Sequence, residues 1–169
     1  PSSAASDVYK RQGVNVSTKH ITYCTSGMYC NALVTAGLSD AKVTVVGPFD
    51  ISGTSALVGA MKAYSVMTGE EISEKTMDTA TDELVTTAEV AKNVGDKQKV
   101  TELVAAAKKA VFEDQLSSET DIRDAIEQAA NELSIDLSDD DVEKLTNMMM
   151  KVSKEDIDPG TIAKQASDI

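Results

Sequence analysis

Apolar and polar residues alternate imperfectly over residues 13–24 (GVNVSTKHITYC), a run rich in Val, Ile, Thr and Tyr that predicts a strand. Ser26 then stands as an N-cap before a short helix at 28–36, with Tyr29, Leu33 and Ala36 at i, i+4, i+7 and Gly37 as its stop. Residues 41–46 (AKVTVV) form a second, β-branched strand ended by Gly47-Pro48. Strand, helix and strand in so short a span predict a βαβ unit with parallel strands and a right-handed crossover.

From Ser52 onward the period is helical. Residues 54–67 place Leu57, Met61 and Tyr64 on one stripe, beside a small-residue face of Ala56, Gly59, Ala60 and Ala63. Ser73 caps a longer helix reaching Val94, with Gly95 past its end, and Asp96 caps the most regular one, with Val100, Leu103, Val104, Ala107 and Val111 on one face. Ser118 with Asp121, and Ser138 with Asp141, resemble capping boxes ahead of two further helices, and Asp158-Pro159 opens a short last one. The pattern is that of an α+β chain: an N-terminal βαβ portion with a small parallel sheet, then an all-helical C-terminal portion of about five helices. A composition shift at 92–96 (KNVGD) divides residues 13–95 from the more acidic 96–169.

The opening Pro1–Gln12 (PSSAASDVYKRQ) is small and polar, lacks a hydrophobic period and resembles translated read-through of a sequencing-library adapter; it is expected to be an artefactual tail outside the fold. Two parallel strands are too few to be shielded on both faces. Further strands are therefore expected upstream of Gly13, with an open sheet edge or an exposed apolar face near Val14, Val16 and Val43 to Val46; the alternative is a complete small α+β domain with two or three short strands.

Composition narrows the function classes. The chain has 169 residues and a formal net charge of −12, which opposes nucleic-acid binding. No apolar run approaches the roughly 20 residues that span a bilayer. With no Trp, two Phe and four Tyr, stacking platforms for bases or sugars are scarce.

Candidate chemistry is thin. Cys24 and Cys30 are close enough in sequence to form a disulfide if their Cα atoms come within about 7 Å; two buried free thiols are the alternative. A zinc site is disfavoured, because His20 is the sole imidazole. Any Ser–His or Cys–His catalysis must pass through His20, yet Cys24 lies about 13 Å further along an extended strand. Ser52, Gly53, Thr54 and Ser55 open a helix whose amides could hold an anion. Asp50 sits beside them and no Gly-Lys-Ser/Thr ending follows, so capping accounts for the pattern. The weak candidate site is thus His20, Asp50, Ser52 and Thr54.

Asp136, Asp139, Asp140, Asp141 and Glu143 form an acidic run of the kind calcium favours, but Asp141 stands where an EF-hand needs Gly and Asn147 where it needs Glu. The dipole of a helix's first turn explains the acids. Met148, Met149 and Met150 could form an adaptable docking patch, though Val142, Leu145, Met149 and Val152 already read as core.

The segments NALVTAG, VGPFDISGTSAL and LSDDDVEKLTNMMMKVSKEDID resemble a bacterial family of predicted secreted proteins, catalogued as domain of unknown function 1002. The likeness runs from Gly13 to Ile169. It implies export from a Gram-positive-type cell and a longer N-terminus with a signal sequence and further α/β sequence; it supplies no activity, cofactor or catalytic residue. The leading expectation is an exported, non-enzymatic protein that binds a protein or cell-envelope partner. Competing expectations are a fragment of an extracellular enzyme with its other catalytic groups upstream, and a calcium or small-ligand module.

Overall fold

The computed structural model describes residues 13–169, so the reading of Pro1–Gln12 as a tail lies outside the described residues. The elements are β1 (Val14–Ile21), α1 (Ser26–Thr35), β2 (Ala41–Ile51), α2 (Ala56–Thr68), α3 (Glu74–Val94), α4 (Lys97–Glu113), α5 (Glu119–Glu132), α6 (Asp139–Val152) and α7 (Pro159–Asp168). Among the described residues the sheet has two strands, and they are parallel, from Val14 opposite Ala41 to Ile21 opposite Ile51. The α+β class holds. Six helices follow β2 rather than about five, the last of them the one that Asp158-Pro159 predicts.

Local chemistry fixes the helix ends. Ser73, Asp96, Ser118, Ser138 and Asp158 each accept a hydrogen bond from the amide three residues on, satisfying a donor that the first helical turn would leave unpaired. At α1 the cap is Thr25, not Ser26: its Oγ1 accepts from Met28 N at 3.3 Å. Ser55 occupies the N-cap of α2 but makes no side-chain cap, so the hydroxyls of this turn do not serve the helix as expected.

Helix α1 is central. Every residue from Met28 to Thr35 is buried, more than a one-stripe helix would hide, because β1, α3, α4 and α7 all pack around it. One hydrophobic cluster runs from Val14 to Ile162 and crosses the turn at 92–96. The sheet covers this cluster with one face only. Val14 and Val45 are buried and Val16, Thr18 and Val43 half-buried, while Asn15, Ser17, Lys19, Lys42, Thr44 and Val46 point to water. That alternation is what period-two side-chain geometry requires. It departs from the two-faced burial expected of parallel strands: five of the six outward positions are polar, so this face is tolerable in water.

Candidate functional site

In open α/β sheets, ligand sites lie beyond the carboxyl ends of the strands. Here that end is irregular. Lys19 pairs with Val46, but the next partners are Ile21 and Ile51, so β2 carries four residues, 47–50, where β1 has only His20. The expected stop at Gly47-Pro48 is instead a bulge within a longer strand. Pro48 lacks an N–H and fits where ladder bonds are interrupted. Gly47 is required by space, since a Cβ there would lie 2.7 Å from the Phe49 carbonyl oxygen and 2.9 Å from that of His20. His20 itself takes a left-handed backbone, φ 59°, uncommon for a residue with a side chain.

This bulge brings Asp50 to His20. The Nδ1 of His20 lies 3.3 Å from Asp50 Oδ1, and both side chains are exposed, at 46% and 74%. Ser52 and Thr54 do not join them: neither hydroxyl bonds to His20 or Asp50, and the Ser52 backbone is used to accept from Cys24 N at 3.2 Å. Beneath the turn, the Tyr29 hydroxyl donates to the Gly53 carbonyl in a short hydrogen bond. Gly53 has φ 90°, and any Cβ would collide with Tyr29 and Ile21, so only glycine fits. An exposed imidazole–carboxylate pair can shuttle protons. It lacks a nucleophile, because among the described residues no hydroxyl or thiol hydrogen-bonds to His20.

The cysteines are free thiols, and the possible disulfide between Cys24 and Cys30 is not formed. They reach different partners. Cys30 Sγ donates to the Val14 carbonyl at 3.4 Å, whereas Cys24 lies against the Tyr29 hydroxyl. Burial pushes the Cys24 thiol up to about 11 and raises that of Cys30 as well, so neither is a thiolate at neutral pH.

The acidic run has structural employment. Asp141 caps α6 with Ser138 and accepts from Asn93 Nδ2 at 2.8 Å, and Asp140 pairs with Lys144 at 2.9 Å. Lys144 also meets Glu89 at 2.6 Å; the two carboxylates favour its charged form and raise its pKa. Among the described residues no cluster of three or more His, Cys, Asp or Glu could hold a metal ion. Met148 and Met149 are buried in the core, and Met150 packs at its margin.

One feature escaped the sequence reading, and a second joins two it had flagged apart, the open edge near Val43 to Val46 and the small-residue face of Ala56, Gly59, Ala60 and Ala63. The first is a buried ion pair. Lys108 Nζ lies 2.6 Å from Glu83 Oε1, with side chains 2% and 0% exposed. The ammonium also donates to Asn31 O at 2.7 Å and Thr35 Oγ1 at 2.8 Å, while the Thr35 hydroxyl donates to the other Glu83 oxygen in a short bond. Three helices, α1, α3 and α4, meet at these groups. A signal existed: Lys108 follows Val104 by four and precedes Val111 by three, which puts a charge on an apolar stripe.

The second is a groove of about 570 Å³ between β2 and α2. One wall is the free edge of β2 from Ala41 to Val46. The other is Ala56, Gly59, Ala60 and Ala63, with Tyr64 and Met67 toward one end. Helix α2 is thinly anchored: only Leu57 and Met61 are buried, and Val66 and Met67 are each 85% exposed.

The comparisons with known proteins leave the activity open. The chain is 38% identical over 165 residues to the "Uncharacterized protein YpuA" of Bacillus subtilis (strain 168), a match covering 97% of this chain and 57% of that protein. The chain therefore spans little more than half the length of this curated relative. No solved structure matches it. A family described as "Protein of unknown function (DUF1002)" matches residues 1–169, and the chain belongs to that family.

Proposed function

We propose that the chain is a non-enzymatic module of an exported protein, one that works at the cell envelope or outside the cell by taking up an extended polypeptide along the free edge of β2. The observation that carries this reading is the groove between β2 and α2: a sheet edge beside a row of small apolar side chains is the geometry by which β-strand addition binds polypeptide. Main-chain hydrogen bonds would supply affinity, and the shallow pockets over Gly59 and Ala63 would select the incoming side chains. What supports export is the resemblance of the chain to predicted secreted proteins.

The test compares variants. Envelope and secreted fractions are passed over immobilised wild-type chain, Gly59→Trp and His20→Ala. A polypeptide retained by wild type and His20→Ala, but lost by Gly59→Trp, supports docking in the groove. Retention indifferent to Gly59→Trp, or none, removes the reading. Recovery of the full-length Bacillus relative only in the cytoplasmic fraction would remove export.

The competing reading is an enzyme whose other groups come from elsewhere in a longer protein. It is favoured by the His20–Asp50 pair at the carboxyl end of the strands. Calcium binding is tested by melting with and without the ion, since a specific site must raise the midpoint.

A further inference from the structure

We infer that the groove beside β2 is filled, in the longer protein of this family, by a β-strand from the part of the polypeptide outside this chain, which extends the sheet to at least three strands. The inference rests on reading the groove as a strand acceptor, and it names the polypeptide taken up as the protein's own strand, so that a separate polypeptide enters the groove only where that strand is absent, as in this chain alone.

The two edges of the sheet differ. Ala41 N donates to Gly13 O at 3.2 Å, which sets the parity of the parallel ladder: odd residues of β2 face β1. The backbone groups of Lys42, Thr44 and Val46 therefore face the groove, where none has a hydrogen-bond partner among the described residues. By the same parity, the outer edge of β1 presents Val14 and Val16. That edge also borders a groove, of about 780 Å³, but its backbone is already engaged there: Cys30 Sγ donates to Val14 O, and the Val16 backbone also bonds to this thiol. The even positions of β2 have no such side-chain partner among the described residues.

Helix α2 points to the same place. Ala56, Gly59, Ala60 and Ala63 recur at i, i+3, i+4, i+7 and line the groove. A Cβ built on Gly59 meets nothing within 4 Å. A helical stripe of this kind packs against a neighbouring element, and here the space it faces holds none. A strand beside β2 would supply the missing layer and cap the open amides at once. Its side chains toward α2 should be small to medium and apolar, continuing the row of Val43 and Val45; those on the other side should be polar, continuing Lys42 and Thr44.

The donor is argued from length and charge. The chain spans 57% of its Bacillus relative, so that protein has ample polypeptide beyond the match. A tethered strand acts at an effective concentration of about millimolar, without the association entropy a separate partner loses. A second copy would bring another formal −12 against the first.

Residue-resolved amide exchange on this chain and on the full-length Bacillus relative tests the inference. In the chain, Lys42, Thr44 and Val46 should exchange fast while Val43 and Val45 are protected. In the full-length relative, the amides matching all five should be slow, the even ones by about tenfold or more relative to the chain. Gly59→Leu should leave the unfolding midpoint of the chain unchanged or raised, whereas leucine at the matching position should lower that of the full-length protein. Even-numbered amides already slow in a monomeric chain, or slow through dimerisation, overturn the inference. So does fast exchange in the full-length relative. If they are fast there but slow when a separate strand binds the chain, the donor is wrong and the acceptor stands; if nothing ever protects them, both fall.

Discussion

Lys108 and Glu83 are held in the core by each other and by two neutral groups, so each neutralises a charge that water cannot reach. Removing one partner leaves the other bare. Glu83→Gln or Lys108→Met should each cost about 3–5 kcal/mol in urea unfolding, while replacing both, as Glu83→Leu with Lys108→Met, should recover much of the loss. A pair that mattered only for attraction would not show that recovery. Cys24 gives a pH prediction. Its unfolded thiol ionises near the ordinary 9.0, the folded one only near about 11, so the unfolded state binds fewer protons between these values. Stability should fall as pH rises from 9 to 11, and Cys24→Ala should show a smaller fall than the parent. Tyr29, raised by the same burial, adds a fall of the same sign in both proteins. Thiol titration in denaturant without reductant should find two free thiols per chain.

At the scale of elements, five of the six helix starts after β2 were legible because a cap is settled within three residues of sequence. Ser73, Asp96, Ser118, Ser138 and Asp158 announce themselves by a short polar side chain ahead of an apolar period. The caps are not equal. Ser118 and Asp121 are exposed and serve their own helix, whereas Asp141 is buried and also tied to Asn93 on α3. Ser118→Ala should cost about 1 kcal/mol, and Asp141→Ala more, because it also leaves the Asn93 amide without its acceptor. Gly59→Ala should raise stability by about 0.5–1 kcal/mol, since the added methyl enters open space on a helix that gains propensity. What the sequence hid is what depends on a distant partner. Gly47-Pro48 reads as a strand end locally, and only pairing with β1 carries β2 on to Ile51. His20 and Asp50 lie thirty residues apart and meet through that bulge, so no spacing rule could join them, although both stood among the candidates. Ser52 and Thr54 were drawn in by neighbourhood alone.

At the scale of the molecule, charge and topology matter more than any side chain. A formal −12 on 169 residues repels itself, so salt should raise the melting temperature by screening, and a flat response would show that local pairs such as Lys144 with Glu89 and Asp140 already balance the field. No helix among the described residues is long and apolar enough to cross a membrane. The α+β order of the whole was readable from the change of period near Ser52, because period follows from backbone geometry. The one-sided sheet was not, because it turns on how many strands stand beside β2.

The glycine turn at residue 95 looks like a natural place to cut the gene into a sheet-bearing piece and a helical one. The ionic knot in the core forbids it. Glu83 would go with the first piece and Lys108 with the second, so each fragment would carry a naked charge in its interior, and the first would also keep the Asn31 carbonyl and Thr35 hydroxyl that the ammonium had met. Expressed apart, the halves should be insoluble or unstructured. Mixed together they should reassemble only as a neutral couple, which makes co-expression of 13–95 with 96–169 a direct measure of how strongly one buried proton balance welds the chain into a single folding unit.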